Sequence, residues 1–294
     1  MHEHAWSAER FEEDRAHLRA VAYRMLGSAS EADDAVQETW LRASRAGTEG
    51  VENLTGWLTT VVARVCLNML RSRETRREDP LDAHAPDPTF GQEEGADPEQ
   101  EALMADSVGL ALLVVLDTLA PAERLAFVLH DMFAVPFDEI GPMLERSPAA
   151  ARQLASRARR RVKGGTPAPD TDPTRRRVVV DAFLAATRGG DFEALVALLH
   201  PDVVLRADPA VGPTLEPVVI LGAHTVAKGA MAAMGRARFT GPALIDGTVG
   251  LVMAPRGRLF LVLCFTVTDD GITGIDVIAD PDRLREIDLG VLAD

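Results

Sequence analysis

Residues 136–163 constrain the fold of this chain more than any other stretch, because their pattern is typical of two helices joined by a tight turn. Apolar residues recur at helical spacing through the first half, at Phe137, Ile140, Met143 and Leu144. Ser147 is suited to cap the second helix, and Pro148 fits its first position, where no backbone N–H is needed. The stretch therefore predicts a helix-turn-helix.

The second predicted helix carries a basic face. This face lies opposite an alanine-rich side of the helix. It is formed or flanked by Arg152, Gln153, Ser156, Arg157 and Arg160. In a helix-turn-helix the first residues of the second helix approach base edges, so Arg152, Gln153 and Ser156 are candidate base readers. Arg157 and Arg160 are better placed to contact phosphates, as are Arg161 and Lys163. An ordinary helical hairpin with a solvated basic face accounts for these features equally well.

The distribution of charge favours local rather than general attraction to nucleic acid. The formal net charge of −14 argues against indiscriminate nucleic-acid binding. Residues 81–108 contain eight acidic side chains and no basic one, whereas basic side chains gather near residues 71–77 and 152–163. We therefore expect two local basic surfaces in an otherwise acidic protein.

Length and composition exclude several other classes. The 294 residues are enough for two or three domains. The sequence contains no run of about 18 apolar residues, which a membrane-spanning helix would require. The charged N-terminus lacks the apolar core of a secretory signal. Cys66 and Cys264 are far apart, and we interpret them as buried free thiols of a cytoplasmic protein. We expect no metal site and no cofactor.

Three helices are predicted before residue 80. The first, from about Trp6 to Met25, ends at Gly27, and Ser30 is the expected cap of the second. The second would expose an acidic and apolar face that suits either solvent or a docking partner, at Asp33, Gln37, Glu38 and Leu41. The third, residues 55–77, has a basic end that either stabilises the helix dipole or contacts nucleic acid, with Trp57 as a stacking group.

Two linkers divide the remainder of the chain. Residues 79–100, rich in proline, glycine and acid, predict a flexible acidic linker, and residues 164–174 predict a second one. Between them, residues 101–163 predict a four-helix domain that ends in the helix-turn-helix. Beyond them, residues 175–294 combine helices with strand-like runs, at 243–253, 258–268 and 272–279. This pattern predicts an α+β domain with a curved antiparallel sheet.

Three segments in this order resemble an extracytoplasmic-function (ECF) sigma factor of the sigma-70 family. EADDAVQETWLRA is similar to the region 2 segment that docks on the clamp helices of RNA polymerase. GWLTTVVARVCLNMLRSR is similar to the segment that melts and reads the −10 element. LDTLAPAERLAFVLHDMFAVPFDEIGPMLERSPAAARQLASRARRRV is similar to region 4, which reads the −35 element. The resemblance implies two all-α domains, region 2 at 6–78 and region 4 at 101–163, which direct promoter-specific transcription initiation.

The resemblance also implies roles for individual residues. Those implied to contact core RNA polymerase, through its β′ clamp, are Asp33, Asp34, Gln37, Glu38 and Leu41. Those implied to lie along the −10 strand are Arg64, Asn68 and Arg71, beside the stacking candidate Trp57. Those implied at the −35 duplex are Ser147, Arg152, Gln153 and Arg157, next to Ser156 and Arg160 of the basic face. The 79–100 linker would occupy the polymerase channel.

The C-terminal residues 175–294 are similar to the SnoaL-like domain, a cone-shaped α+β fold related to nuclear transport factor. FLAATRGGDFEALVALLHPDVVLRAD and DVIADPDRLREI carry this resemblance. Free SnoaL-like proteins include cyclases and isomerases, for which the candidate acid–base groups are Asp208, Asp246, Asp276 and His224. Turn and cap roles explain the same residues, and we expect no enzyme. A pocket lined by Phe260, Leu263, Phe265 and Val267 would either bind an apolar ligand or be filled by side chains.

We hypothesise that this third domain modulates the sigma domains by packing against them, since the short 164–174 linker keeps its local concentration high. The expected partners are core RNA polymerase, promoter DNA and, within the chain, the sigma domains, with no membrane. Two other functions stay open: a ligand-responsive helix-turn-helix regulator that acts without polymerase, and a SnoaL-like cyclase or isomerase.

Overall fold

The computed structural model describes residues 2–46, 51–78, 109–164, 173–211 and 216–292. Packing groups the chain into two compact units, of which the first comprises Met1–Met104 and Leu116–Arg159. The second comprises Ala105–Val115 and Arg160–Asp294. The predicted acidic linker at 79–100 and most of the predicted linker at 164–174 lie outside the described residues.

Three helices open the first unit: α1 (His2–Leu26), α2 (Ala29–Ala46) and α3 (Leu54–Glu78). α1 ends as predicted at Gly27, which has a φ of 76° and donates its N–H to the Tyr23 carbonyl at 2.8 Å. The cap predicted at Ser30 is wrong, because α2 has already begun there and the Ser28 hydroxyl accepts the Glu31 N–H at 3.5 Å. The apolar sides of the three helices are buried against one another, at residues such as Leu18, Val36, Leu58 and Leu67.

In the described part of residues 79–164 there are four further α-helices: α4 (Leu110–Thr118), α5 (Pro121–Phe127), α6 (Phe137–Met143) and α7 (Pro148–Lys163). α6 and α7 form the predicted helix-turn-helix, and the Ser147 hydroxyl accepts the Ala150 N–H at 3.2 Å as its predicted cap. The helix expected to run on from Pro121 differs, because it changes after α5 into a π-helical turn, Val128–Met132.

The second unit contains the predicted α+β fold. Its helices are α8 (Pro173–Gly189), α9 (Phe192–Leu198), α10 (Ala223–Ala232) and α11 (Pro281–Glu286). Its strands are β1 (Leu199–Ala207), β2 (Val218–Leu221), β3 (Thr240–Ile245), β4 (Thr248–Met253), β5 (Leu261–Thr268), β6 (Gly271–Ile278) and β7 (Leu289–Gly290). They form one sheet in the order β2-β1-β6-β5-β4-β3-β7. The predicted run 243–253 thus contains a hairpin, which turns at Asp246 and Gly247 with φ values of 49° and 74°.

The sheet is mixed rather than wholly antiparallel. β1 pairs with β6 in parallel, with Arg206 opposite Asp276, while the other pairs are antiparallel. The antiparallel expectation is therefore wrong for β1 and β6. These strands are separated by a long connection, so no short turn forces them to run in opposite directions.

The two faces of the sheet are covered by different parts of the chain. α8, α9 and α10 bury one face in a core that includes Phe183, Phe265 and Ile275. The other face is covered by α4, where Ala111, Val114 and Val115 pack against residues such as Ala243, Val252 and Val262. The end of α7 is held on the same unit, since the Val291 N–H donates to the Val162 carbonyl at 2.9 Å. A segment predicted to belong to the region 4 domain therefore packs on the C-terminal sheet.

Candidate nucleic-acid and polymerase interface

The exposed side of α7 presents the side chains proposed to read the −35 element. Ala151, Ala155 and Ala158 are buried on its inner side. The predicted residues Arg152, Gln153, Ser156, Arg157 and Arg160 are all exposed. Ser147 is also exposed, but its hydroxyl is already engaged as the helix cap. The structure thus brings the predicted −35 residues together along one helix.

The arginines of α7 differ in their neighbours. Arg159 donates to Asp131 at 2.6 Å, a contact that fixes its position against the helix bundle. Arg157 is 4.0 Å from Glu123, at the limit of an ion pair, so that contact leaves its guanidinium weakly held. The Arg152 guanidinium lies over the Phe137 ring, 5.2 Å from its centroid. Within the described residues Arg152 has no ion pair and Arg157 has only a weak one, so both guanidinium groups can reach an anionic partner.

α3 presents a second polar stripe. The predicted −10 residues Arg64, Asn68 and Arg71 are exposed, and Trp57 is half-buried on the same side. Their positions differ by seven, four and three, the spacing that keeps side chains on one side of a helix. Arg73 does not belong to this stripe, because it pairs with Glu31 and donates to the Leu26 carbonyl at 3.4 Å. Arg73 therefore ties α3 to α1 and α2.

The predicted polymerase-binding side chains lie on the outer side of α2. Asp33, Asp34, Gln37 and Leu41 are exposed and Glu38 is half-buried, whereas Ala35, Val36 and Thr39 face the core. Two of the acids already have local partners: Asp33 pairs with Arg19 at 2.6 Å and Glu38 with Arg42 at 2.7 Å. Leu41 keeps 40% of its surface exposed, so this side of α2 offers one apolar contact among polar neighbours.

The first unit also contains contacts between the two helical regions that the sequence did not indicate. Arg124 on α5 is buried and donates to the Met25 carbonyl of α1 at 3.0 Å and to Asp117 at 3.1 Å. Phe133 lies edge-on to the His17 ring at 5.3 Å and under the Arg24 guanidinium at 5.2 Å. We call these contacts the α1–α5 contact. Its residues are about a hundred positions apart, so no local periodicity could reveal it.

Arg24 is held in this contact at some energetic cost. Burial lowers the pKa of its guanidinium, because a charged group loses hydration when it is withdrawn from water. Its Nη1 donates to the Ala20 carbonyl at 3.1 Å, but its buried Nε has no hydrogen-bond acceptor among the described residues. A half-buried cation with one unsatisfied donor stabilises the α1–α5 contact less than a fully hydrogen-bonded one would.

Two of the four candidate acid–base residues of the C-terminal domain, Asp208 and Asp246, have structural hydrogen-bond partners. Asp208 accepts the backbone N–H groups of Ala279 and Asp280 at 3.1 and 3.2 Å and pairs with Arg283. Asp246 accepts the Asp288 N–H at 2.9 Å. Within the described residues, no cluster of three or more metal-binding side chains occurs.

The side chains expected to line an apolar pocket contribute to the core of the C-terminal domain. Phe265 is buried and meets the Phe183 ring at 5.3 Å, and Phe260, Leu263 and Val267 pack against the same core. A pocket of about 270 Å³ lies elsewhere, at the start of α10, and His224 is the single acid–base candidate that lines it. In the part of the chain that the structure describes, no helix has the length and apolarity that a membrane crossing requires.

Both helical regions match models of known protein families. Residues 10–76 match the model of Sigma-70 region 2, and residues 109–162 match that of Sigma-70 region 4. ECF RNA polymerase sigma factor SigJ of Mycobacterium tuberculosis is 38% identical over 296 residues, which covers 93% of this chain and 91% of the relative. Probable ECF RNA polymerase sigma factor SigI of the same species is 37% identical, over 76% of this chain and 73% of the relative. The crystal structure of M. tuberculosis SigJ is matched at 32% identity over 94% of this chain and 98% of that one, with a TM-score of 0.45.

Proposed function

This chain belongs to the ECF RNA polymerase sigma factors, which direct transcription with RNA polymerase, and we propose that it reads two promoter elements with two helices of one compact unit. The observation that carries this proposal is the pair of exposed polar stripes on α3 and α7. Neither stripe is covered within the described residues, although α3 and the larger part of α7 belong to the same unit.

We assign the −10 element to α3 and the −35 element to α7. Arg64, Asn68 and Arg71 contact the −10 strand, and Trp57 stacks on one of its bases. On α7, Arg152, Gln153 and Ser156 approach base edges, because they lie in the first turns of a recognition helix. Arg157 and Arg160 contact phosphates, which adds affinity without sequence information. Ser147 caps the helix and stands close enough to its start to donate its own hydrogen to a phosphate.

The compact first unit must open for both elements to be bound at once. By their names the two elements are separated by roughly 25 base pairs, which is about 85 Å of duplex at 3.4 Å per base pair. A 25-residue helix such as α3 is only about 38 Å long, and the α1–α5 contact holds the two helical regions together. We therefore infer that the described state is closed and that polymerase binding separates α1 from α5.

The outer side of α2 is the proposed docking surface for the β′ clamp of core polymerase. Asp33, Asp34, Gln37 and Glu38 supply polar contacts around the exposed Leu41. A plain DNA-binding regulator needs neither this surface nor a second reading helix, which favours the sigma factor over the polymerase-independent alternative. Action on RNA polymerase implies a cytoplasmic location.

The C-terminal domain is proposed to regulate rather than to catalyse. Its sheet holds α4 and the end of α7, so a change in this domain is transmitted directly to the elements that carry the helix-turn-helix. The structural partners of Asp208 and Asp246 support an internal regulatory role over a cyclase or isomerase.

Run-off transcription with the full chain and core polymerase tests this proposal. We expect the Arg64→Ala/Asn68→Ala variant to lose dependence on the −10 sequence, and Arg157→Ala to bind promoter DNA more weakly with a smaller salt slope. Arg258→Ala removes one exposed charge from the second unit and serves as the matched control, with no effect expected. Failure of the wild-type chain to bind core polymerase in a pull-down would refute the proposal.

A further inference from the structure

A stack of three side chains lies beneath the start of the recognition helix. The rings of His130 and Phe137 are stacked with centroids 3.8 Å apart and an interplanar angle of 29°. The guanidinium of Arg152 lies over the same Phe137 ring at 5.2 Å. Phe137 is nearly buried and opens α6, whereas Arg152 is exposed in the first turns of α7. The stack therefore joins the interior of the domain to an exposed residue in the first turns of α7.

The backbone before α6 fixes the first member of this stack. The π-helical turn Val128–Met132 and the left-handed Ala134, at a φ of 55°, bring the chain back so that the Val135 N–H donates to the Leu129 carbonyl at 2.9 Å. The Val135 carbonyl is 3.0 Å from His130 Nδ1 and can only accept, so Nδ1 donates and the ring is held in one orientation. π-Helical turns are frequent at functional sites.

An aromatic partner suits an arginine that has to bind something else. A guanidinium is attracted to the face of an aromatic ring, and this attraction does not consume its N–H donors. A carboxylate partner does consume them, as Asp131 does for Arg159 at 2.6 Å. Arg152 is thus held in place while, as far as the described residues show, its donors remain free for the O6 and N7 atoms of a guanine.

We propose that Phe137, backed by His130, is the positioning residue that presents Arg152 to a guanine edge in the −35 duplex and so determines specificity at one base pair. This inference rests on the proposed base-reading role of α7. The ring orders a long, flexible side chain before DNA arrives, so less conformational freedom is lost on binding. Phe137 itself does not contact DNA in this arrangement.

The test is holoenzyme transcription from promoters with a randomised −35 element, read by sequencing the transcripts. Arg152→Ala should abolish a preference for guanine at one position and thereby identify that position. Phe137→Leu keeps an apolar side chain of similar size but removes the ring, and should weaken the same preference about two- to five-fold. His130→Asn should weaken it less, because the asparagine amide nitrogen lies close to the position of Nδ1 and can still donate to the Val135 carbonyl. The salt dependence of promoter binding should not change when Phe137 or His130 is replaced, because neither side chain contacts a phosphate.

Two controls separate a positioning role from a structural one. Phe137→Tyr retains the aromatic face and should retain the guanine preference, even if Phe137→Leu also lowers the melting temperature. Ile140→Leu, a buried aliphatic change in the same helix, should leave the preference intact. If Arg152→Ala relaxes no position, the base-reading role of Arg152 is wrong and this proposal fails with it. If Arg152→Ala relaxes one position and Phe137→Leu does not, only the positioning role of Phe137 is refuted.

Discussion

At the scale of single residues, Gly141 illustrates how closely the turn of the helix-turn-helix is packed. A Cβ atom at Gly141 would lie 2.8 Å from the Arg146 carbonyl oxygen and 3.1 Å from the Pro148 nitrogen, both of which are backbone atoms. Neither can move aside without displacing the start of α7. We expect Gly141→Ala to destabilise the protein by about 1–3 kcal/mol, as overpacking of a tight site generally does.

Gly229 is not crowded, and we expect its replacement by alanine to have the opposite effect on stability. Gly229 lies within α10, and a Cβ atom there would have no neighbour within 4 Å. Gly229→Ala should therefore stabilise the protein by up to about 1 kcal/mol, because alanine is the better helix former. Scanning calorimetry should show a lower melting temperature for Gly141→Ala and a higher one for Gly229→Ala. Shifts of the same sign and size in both variants would contradict this expectation.

The two cysteines are expected to be unreactive in the folded protein. Burial raises the pKa of the Cys264 thiol to about 11, with the nearby Asp276 and Asp246 charges adding to the effect, and burial also raises the pKa of Cys66. At pH 8 only about a thousandth of Cys264 is thiolate. A thiol reagent should label Cys264 slowly and Cys66 only after unfolding, and rapid labelling of native Cys66 would contradict this.

The same shift predicts a pH dependence of stability. The folded protein holds the Cys264 proton more tightly than the unfolded chain, whose thiol has an ordinary pKa of 9.0. This contribution is complete below pH 9 and is lost as the pH rises towards about 11. Urea titrations across this range should show a fall in the free energy of unfolding that is absent in Cys264→Ser, whose hydroxyl does not titrate there.

How far the sequence predicted individual residues depended on whether their partners are local. Gly27 and Ser147 were predicted correctly, because each acts on backbone groups within four residues. Ser30 was wrong by two residues, since Ser28 and Ser30 are equally good caps on paper. Arg73 gave no sign of its structural role, because its partner Glu31 is distant in the chain. The DNA-facing and polymerase-facing assignments remain predictions.

At the scale of elements, the hydrophobic period predicted the helices, but not the departures from regular geometry. The π-helical turn Val128–Met132 has the same apolar pattern as an α-helix, so the sequence favoured one continuous helix from Pro121. The parallel pairing of β1 with β6 could not be predicted from strand patterns, because the pattern of one strand does not specify the direction of its neighbour and the choice is made by the rest of the sheet.

The α2 surface yields a prediction about one element. We expect Asp34→Lys to weaken retention on core polymerase several-fold, because it reverses a charge beside the exposed Leu41, while the melting temperature stays the same. Glu13→Lys makes the same charge change on the exposed side of α1 and should bind normally. Equal loss with both variants would indicate a general effect of net charge and not a docking surface.

At the scale of the whole molecule, the α1–α5 contact is expected to lower the apparent affinity for core polymerase. A closed state reduces the fraction of molecules that can bind, so loosening it should tighten binding. Phe133→Ala removes the ring that meets His17 and Arg24, and we expect faster association with core polymerase. Met132→Ala shortens the neighbouring side chain and is the control, since it leaves both ring contacts in place.

The C-terminal domain should not be removable without harm to the rest. A chain that ends at Gly164 would leave Ala111, Val114 and Val115 without the sheet that covers them. We expect such a chain to bind a hydrophobic dye and to elute as aggregates in size-exclusion chromatography. A monodisperse truncated chain that does not bind the dye would show that these residues find another partner.

The cover over α4 also has a consequence for synthesis on the ribosome. The strands that bury its apolar side are translated roughly 130 to 170 residues after α4, which takes on the order of ten to thirty seconds at roughly 5–20 residues per second. During that interval the nascent chain exposes a helix that is apolar on almost every side. Chaperones that bind short apolar segments are thus expected to occupy α4 first, and the sheet must displace them before the sigma factor is complete.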